Sequence, residues 1–249
     1  SADTGGKFAA LCAPAHVFSI VLSDVLGDRL DMIASGPSAP DRSTAEDAQR
    51  IAEKYALRLS AQTQALLSAP PAPFPGNVET RITGSVRQLC LAAAERCRAL
   101  GFTPHILTDC LSCTARDAGA FLAAIARTHY RNGRKVAYLA GGETVVRLTG
   151  TGLGGRNQEL ALAAAEDIAG LSNAAVFSIG SDGTDGPTDA AGGYVDGTTR
   201  EALLEKGIRI ADVLQNNDAY HALAQVGGLI MTGPTGTNVN DLSVVLIDP

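Results

Sequence analysis

Three aspartates, Asp182, Asp185 and Asp189, share one stretch rich in glycine, serine and threonine between Ser181 and Gly193. Carboxylates about 6 Å apart repel by roughly 1–3 kcal/mol at an effective dielectric of 20–60. A loop keeps such a group when a cation, a set of donors or a substrate offsets the repulsion. Magnesium takes one or two carboxylates together with waters and substrate phosphates. One or two of Asp182, Asp185 and Asp189 would therefore suit Mg²⁺. Asx-turns and a helix cap would use the same residues with no ligand at all.

A second chemistry-bearing stretch runs from Gly141 to Ala165. Glycines at 150, 152, 154 and 155 precede an abrupt run of helix formers from Arg156. A glycine loop entering a helix offers free N–H groups and partial positive charge to an anion. Gly152, Gly154, Gly155 and Asn157 are the candidate anion contacts, and Arg156 adds a planar cationic fork. Gly150-x-Gly152-x-x-Gly155 also matches the spacing of a dinucleotide fingerprint, but no acidic residue follows at about 20 positions. A tight turn that packs a helix on a sheet would look the same. Glu143, just before this loop, is a candidate base or donor-orienting group.

Two further polar bends complete the set. Asp24 and Asp28 follow a strand-like run, where open α/β sheets bind ligands. Thr235, Thr237, Asn238, Asn240 and Asp241 lie in a glycine loop between two closing strands and suit hydroxyls or phosphate oxygens. The four histidines are scattered without metal spacing, and no Gly-x-Ser-x-Gly elbow occurs. Cys110-x-x-Cys113 is a lone pair without a second pair or a spaced histidine, so it gives no zinc set.

The elements that must position these residues alternate. Val17 to Leu22 reads as a buried strand, and Ser43-x-x-Glu46 as a capping box opening a helix to Tyr55. Residues 69–77 hold four prolines, which place a domain boundary or hinge there, with domains 1–77 and 78–249. Beyond it the spacing predicts strands near 80–83, 105–108, 136–140, 143–148, 175–179, 228–231 and 243–247. Helices are predicted over 85–100, 114–130, 156–168 and 217–225, with a capping box at Thr198-x-x-Glu201. Such alternation implies an α/β fold with mainly parallel sheets covered by helices.

With 249 residues the chain can hold one large or two small domains. The net charge of −6 excludes the basic face that nucleic acid needs. Five cysteines give no even disulfide framework, which points to a reducing cytoplasm. Cys90 and Cys97 are placed on a packed helix face. No apolar run reaches the roughly 18 residues of a membrane span.

These motifs together resemble the MOFRL-type (class II) glycerate 2-kinase family, once labelled hydroxypyruvate reductases. The resemblance is carried by Ser23-Asp24-Val25-x-Gly27-Asp28, Ile33–Pro37, Gly141–Thr144, Gly154–Glu159, Thr184–Gly192, Asn217-Asp218 and Thr232–Asp241. It implies ATP- and Mg²⁺-dependent phosphorylation of D-glycerate to 2-phosphoglycerate, in a cleft between two α/β domains. It also implies that Asp24, Asp28, Glu143, Arg156, Asn157, Glu159, Asp182, Asp185, Asp189 and the Thr235–Asp241 loop face that cleft, with Asp24, Glu143, Arg156 and Asp189 expected to be catalytic, Asp182 and Asp185 to hold the metal, and Gly152, Gly154, Gly155, Asn157, Thr235, Thr237 and Asn238 to meet the nucleotide. Family members are longer at the amino end, so the chain is expected to lack part of the first domain. The family's Gly-Glu-Ala-Arg segment reads Ser112-Cys-Thr-Ala-Arg116, without the acid. The expected partners are a small hydroxy acid and a nucleotide; a homodimer is left open. The competing readings are an NAD(P)H-dependent hydroxypyruvate reductase and a non-catalytic fragment of the kinase.

Overall fold

The computed structural model describes residues 4–68 and 73–249, so the core of the expected hinge, residues 69–72, lies outside the described residues. The chain divides into two compact units: Ser1–Val21 with Asp28–Thr83, and Leu22–Gly27 with Gly84–Pro249. A single boundary near residue 77 does not express this, because the Ser23-Asp24 bend belongs to the larger unit.

The smaller unit holds helices α1 (Lys7–Cys12), α2 (Ala45–Lys54) and α3 (Ala61–Leu67). Strands β1 (Val17–Leu22) and β2 (Val78–Gly84) pair as a two-stranded sheet. β1 is not the buried strand its sequence predicts: Phe18, Ile20 and Leu22 are exposed on one face. The α2 capping box forms one residue later than expected. Thr44 accepts from the Asp47 amide, and Asp47 accepts from Thr44.

The larger unit carries a six-stranded sheet in the order β3-β4-β8-β5-β6-β7. The strands are β3 (Thr103–Leu111), β4 (Val136–Gly142), β5 (Ala174–Gly180), β6 (Gly192–Asp196), β7 (Leu229–Ile230) and β8 (Asp241–Ile247). Helices α4 (Val86–Ala99), α5 (Ala115–His129) and α6 (Arg156–Ile168) cover it, and α7 (Thr199–Glu205), α8 (Ile210–Gln215) and α9 (Ala219–Gln225) follow. The α/β class with helices on the sheet is as the alternation implies. The strand pairing is not mainly parallel: β3 and β4 pair in parallel, and the other four pairs are antiparallel. The reason lies in the connections. Parallel neighbours need a crossover, usually helical, whereas antiparallel neighbours can be joined by a loop. β5 and β6 are such neighbours, joined without a helix, and β8 follows β7 without one and runs antiparallel between β4 and β5.

β4 is buried along its whole length because both sheet faces are covered. Val136, Tyr138 and Ala140 join the core with α5 and α6, while Ala137 and Leu139 join α4 through Cys90, Ala94 and Cys97. The two buried cysteines sit on the packed face expected for them. Helices α5 and α6 approach closely at Gly119, where a Cβ would stand 2.3 Å from the Leu160 carbonyl oxygen.

Two local expectations fail. No strand spans 143–148; β4 ends at Gly142, and Val145 makes only a single bridge to Thr114. The Thr198 box does not form either. Asp196 instead accepts from the Thr198 amide at 2.9 Å.

Candidate active site

The carboxyl ends of β4 and β5 flank the start of β8, with Gly142 and Gly180 both opposite Asp241. Carboxyl ends of strands are where open α/β sheets place ligands. Gly180 lets the aspartate loop fold back against this strand end: a Cβ would stand 2.7 Å from the Thr184 carbonyl oxygen, 3.1 Å from Asp182 Oδ1 and 3.5 Å from Asp241 Oδ1. Arg156, the first residue of α6, reaches into this end. Its Nε and Nη2 donate to the Asp241 carboxylate at 2.5 and 3.1 Å, and Nη1 donates to Glu143 Oε1 at 2.9 Å. This is a bidentate pair with a third bond, the geometry that best uses a guanidinium fork. Asp241 is buried and Glu143 is half exposed. Burial works against the Arg156 charge. The bonds from Asp241 and the fields of Asp241, Glu143 and Asp185 outweigh it, so the guanidinium is held above its ordinary pKa.

The helix entrance that suits an anion already has one. Asp185 Oδ1 accepts from the Asn157 amide at 3.1 Å and from Asn157 Nδ2 at 3.2 Å. Oδ2 accepts from the Gln158 amide at 2.8 Å. Burial pushes the Asp185 carboxyl up to about 6, against the pull of these three donors. Asp185, expected as a metal ligand, serves here as a buried helix cap, with both carboxylate oxygens accepting from the first turn of α6. Asn157 is inside as well: its Oδ1 accepts from Ser178 Oγ at 2.5 Å, and the residue is buried.

The glycine loop is also committed to protein. The amides of Thr149 and Gly150 donate to Asn217 Oδ1 at 2.7 and 2.9 Å. The Thr151 amide donates to Asn216 Oδ1, the Gly152 amide to the Asn216 carbonyl, and the Leu153 amide to Asp218 Oδ1. A Cβ on Gly150 or Gly152 would stand 2.4 Å from Asn216 or Asp218. On Gly155 it would stand 2.3 Å from the Asp185 carboxyl carbon, and on Gly154 3.3 Å from the Ala219 nitrogen. These glycines admit the close approach of neighbouring chain, and β4 ends well before the loop. The dinucleotide fingerprint thus loses its strand–turn–helix setting. Glu159, expected to face the ligand, is buried; it accepts from Arg116 Nε at 3.0 Å and from Asn217 Nδ2 at 3.0 Å.

The last polar loop behaves differently. It is seated on the aspartate loop: the Thr235 amide donates to the Asp182 carbonyl, and Thr235 Oγ1 donates to the Ser181 carbonyl. The Val239 amide donates to Ser181 Oγ at 2.8 Å. Thr235, Thr237 and Asn238 are exposed. Asp182 Oδ1 accepts the Thr184 amide at 2.9 Å. Val239 also neighbours Leu22 through Gly84, which brings the exposed Asp24 bend to this loop. Glu143, Arg156, Asp182, Asp241 and the 235–238 segment thus gather at one end of the sheet. Asp189 belongs to an adjacent group, where it accepts from Tyr220 Oη at 2.7 Å, beside the 2.6 Å pair of His221 Nδ1 and Asp218. Asp28 lies in the smaller unit. Among the described residues no group of three or more His, Cys, Asp or Glu converges as a metal site.

Sequence reasoning underrated Asp241, named only as one loop polar among several, and missed Asn216 as a partner of the glycine loop. The only available signal was that these residues follow strands or helices as polar bends.

Comparison with known proteins converges on one family. Residues 136–241 match the model of the MOFRL family, and residues 1–68 match a domain of unknown function, DUF4147. A D-glycerate 2-kinase from Thermotoga maritima is 48% identical over 98% of this chain and 59% of its own. A glycerate kinase from Macaca fascicularis is 32% identical over 98% of this chain and 76% of its own. The chain belongs to the MOFRL-type glycerate 2-kinase family. A crystal structure of a glycerate kinase from Thermotoga maritima superposes with a TM-score of 0.94 at 47% identity, covering 100% of this chain and 61% of that one. Other family members that match carry the name putative hydroxypyruvate reductase. The chain spans about three-fifths of the length of its Thermotoga relative.

Proposed function

We propose that this glycerate 2-kinase family member transfers the terminal phosphoryl group of ATP to the 2-hydroxyl of D-glycerate. The observation that carries the reading is Arg156, held by Asp241 and Glu143 where β4 and β5 end, in a chain 48% identical to a D-glycerate 2-kinase. Phosphoryl transfer asks a protein for positioning and charge neutralisation more than for covalent help.

The residues at this end fit that demand. Glu143 Oε2 has no partner among the described residues and is placed to accept the proton of the 2-hydroxyl. Arg156 neutralises charge on the transferred group, and Asp241 fixes the plane of its guanidinium. Thr237 and Asn238 offer exposed side-chain donors to phosphate oxygens, Thr235 pins their loop to Ser181 and Asp182, and the amides of Gly154 and Gly155 precede Arg156 in the chain. Asp24 orients the hydroxy acid from the bend after β1, and Asp189 holds the adjacent rim through Tyr220. Asp182 bonds through Oδ1, and its Oδ2 has no partner among the described residues, which fits one carboxylate of a Mg²⁺ shell completed by waters and phosphates. Mg²⁺ bound with ATP would supply charge neutralisation for the transferred phosphate.

A coupled assay of ADP release dependent on D-glycerate, with phosphorus NMR locating the product phosphate on C2, tests the proposal. NADH oxidation with hydroxypyruvate and no ADP release would overturn it. Arg156→Ala should lower kcat/KM at least about 100-fold while circular dichroism stays unchanged.

A further inference from the structure

Helix α6 begins without a cap of its own. Its N-cap residue is Gly155, which has extended backbone and no side chain to accept a bond. The first amides of a helix must find acceptors elsewhere. The acceptor comes from the loop after β5: Asp185 takes the amides of Asn157 and Gln158 and the Asn157 side chain. Its backbone carbonyl accepts from Gln158 Nε2 at 3.3 Å, so both parts of Asp185 grip the same turn. Gly155 is what lets the carboxylate in, because a Cβ there would overlap it. A second clamp acts from below: Asn157 Oδ1 accepts from Ser178 Oγ, which bonds Ser243 Oγ at 2.8 Å. Arg156 lies between Gly155 and the two clamped amides. The direction of its Cα–Cβ bond is therefore set by that turn.

We propose that Asp185 is the positioning residue for Arg156. By fixing the first turn of α6 it keeps the guanidinium between Asp241 and Glu143, and it touches no substrate itself. The inference rests on the role given to Arg156 above, but its test does not depend on activity alone. A plain cap would stabilise the helix and leave the guanidinium where Asp241 holds it.

The decisive measurement is the Arg156 Nε–H signal in ¹⁵N NMR of the whole chain, assigned by its loss in Arg156→Ala. In the unaltered protein it should exchange with water at least about tenfold more slowly than that of the exposed Arg58. In Asp185→Ala that protection should fall about tenfold, with Asp185→Asn between the two. Asp185→Asn keeps shape and one acceptor, so it carries the test if the alanine variant does not fold. An Arg156 signal that keeps its protection while the Asn157 and Gln158 amides lose theirs would overturn the inference. So would an Arg156 signal unprotected from the start. In the kinase assay, Asp185→Asn should lower kcat more than it raises KM, and should add no loss to Arg156→Ala. Fully additive losses would overturn the inference while leaving the kinase reading intact. Absence of kinase activity would remove that reading, and the NMR result would still judge Asp185.

Discussion

Two glycine-rich loops, 149–155 and 232–240, read alike in the sequence and do opposite things in the fold. In the first, five successive amides are spent on Asn216, Asn217 and Asp218, and the glycines lie against other backbone. In the second, Gly233 and Gly236 take positive φ with no atom within 4 Å of where a Cβ would stand. Thr235, Thr237 and Asn238 are exposed beside the Arg156 cluster. A glycine can be required because something must come close, or because the chain must turn. Only the second kind leaves donors for a ligand. On the reading proposed above, binding at this end of the sheet falls to the later loop, and residues 149–153 of the earlier one hold the fold.

The contrast can be broken most forcefully at Asn217. It accepts from Thr149 and Gly150, donates to the Arg147 carbonyl and Glu159, and sits at φ 54°, which asparagine tolerates better than alanine. Asn217→Ala should cost about 4 kcal/mol in urea unfolding, since several inward-facing groups lose partners at once. A loss below about 1 kcal/mol would mean the earlier loop is not held as described.

Asp185 sharpens the comparison through pH. Its carboxyl is raised to about 6 in the fold, from an ordinary value of 3.8, so the native state binds the proton more tightly than the unfolded chain. Its contribution to stability is full below pH about 4, declines as pH rises, and is gone above about 6. Across that window the unaltered protein should lose roughly 3 kcal/mol relative to Asp185→Asn. Parallel stability–pH curves for the two proteins would refute the raised carboxyl.

The smallest effect belongs to the later loop. Asn238→Ala removes one exposed side chain whose recorded bond is to the neighbouring Asn240 amide at 3.2 Å. Stability should change by less than about 1 kcal/mol, while KM for the nucleotide rises several-fold. An unchanged KM would take that loop out of the site.

Legibility followed the range of the physics. Helices α4, α5 and α6 and strands β4 and β5 lie where apolar spacing places them, and Ser85 and Thr114 cap α4 and α5 through their own hydroxyls. β6 was hidden inside a glycine- and aspartate-rich stretch, and α8 has too few residues for its period to stand out. In the site, Arg156 and Glu143 were legible as charged groups beside a loop. Their common partner was not, because Asp241 is 85 residues from Arg156 along the chain.

By itself the amino-acid sequence determined the family, the α/β class and the identity of the charged and polar groups, because each depends on residue type and short-range order. The tertiary structure alone decided the insertion of β8 between β4 and β5, the inward turn of Asp185, Asn157 and Glu159, and the exposure of Thr235 to Asn238. Each of these is settled by which distant backbone arrives to take a hydrogen bond, and a carboxylate or a glycine carries no mark of its partner until the chain has folded.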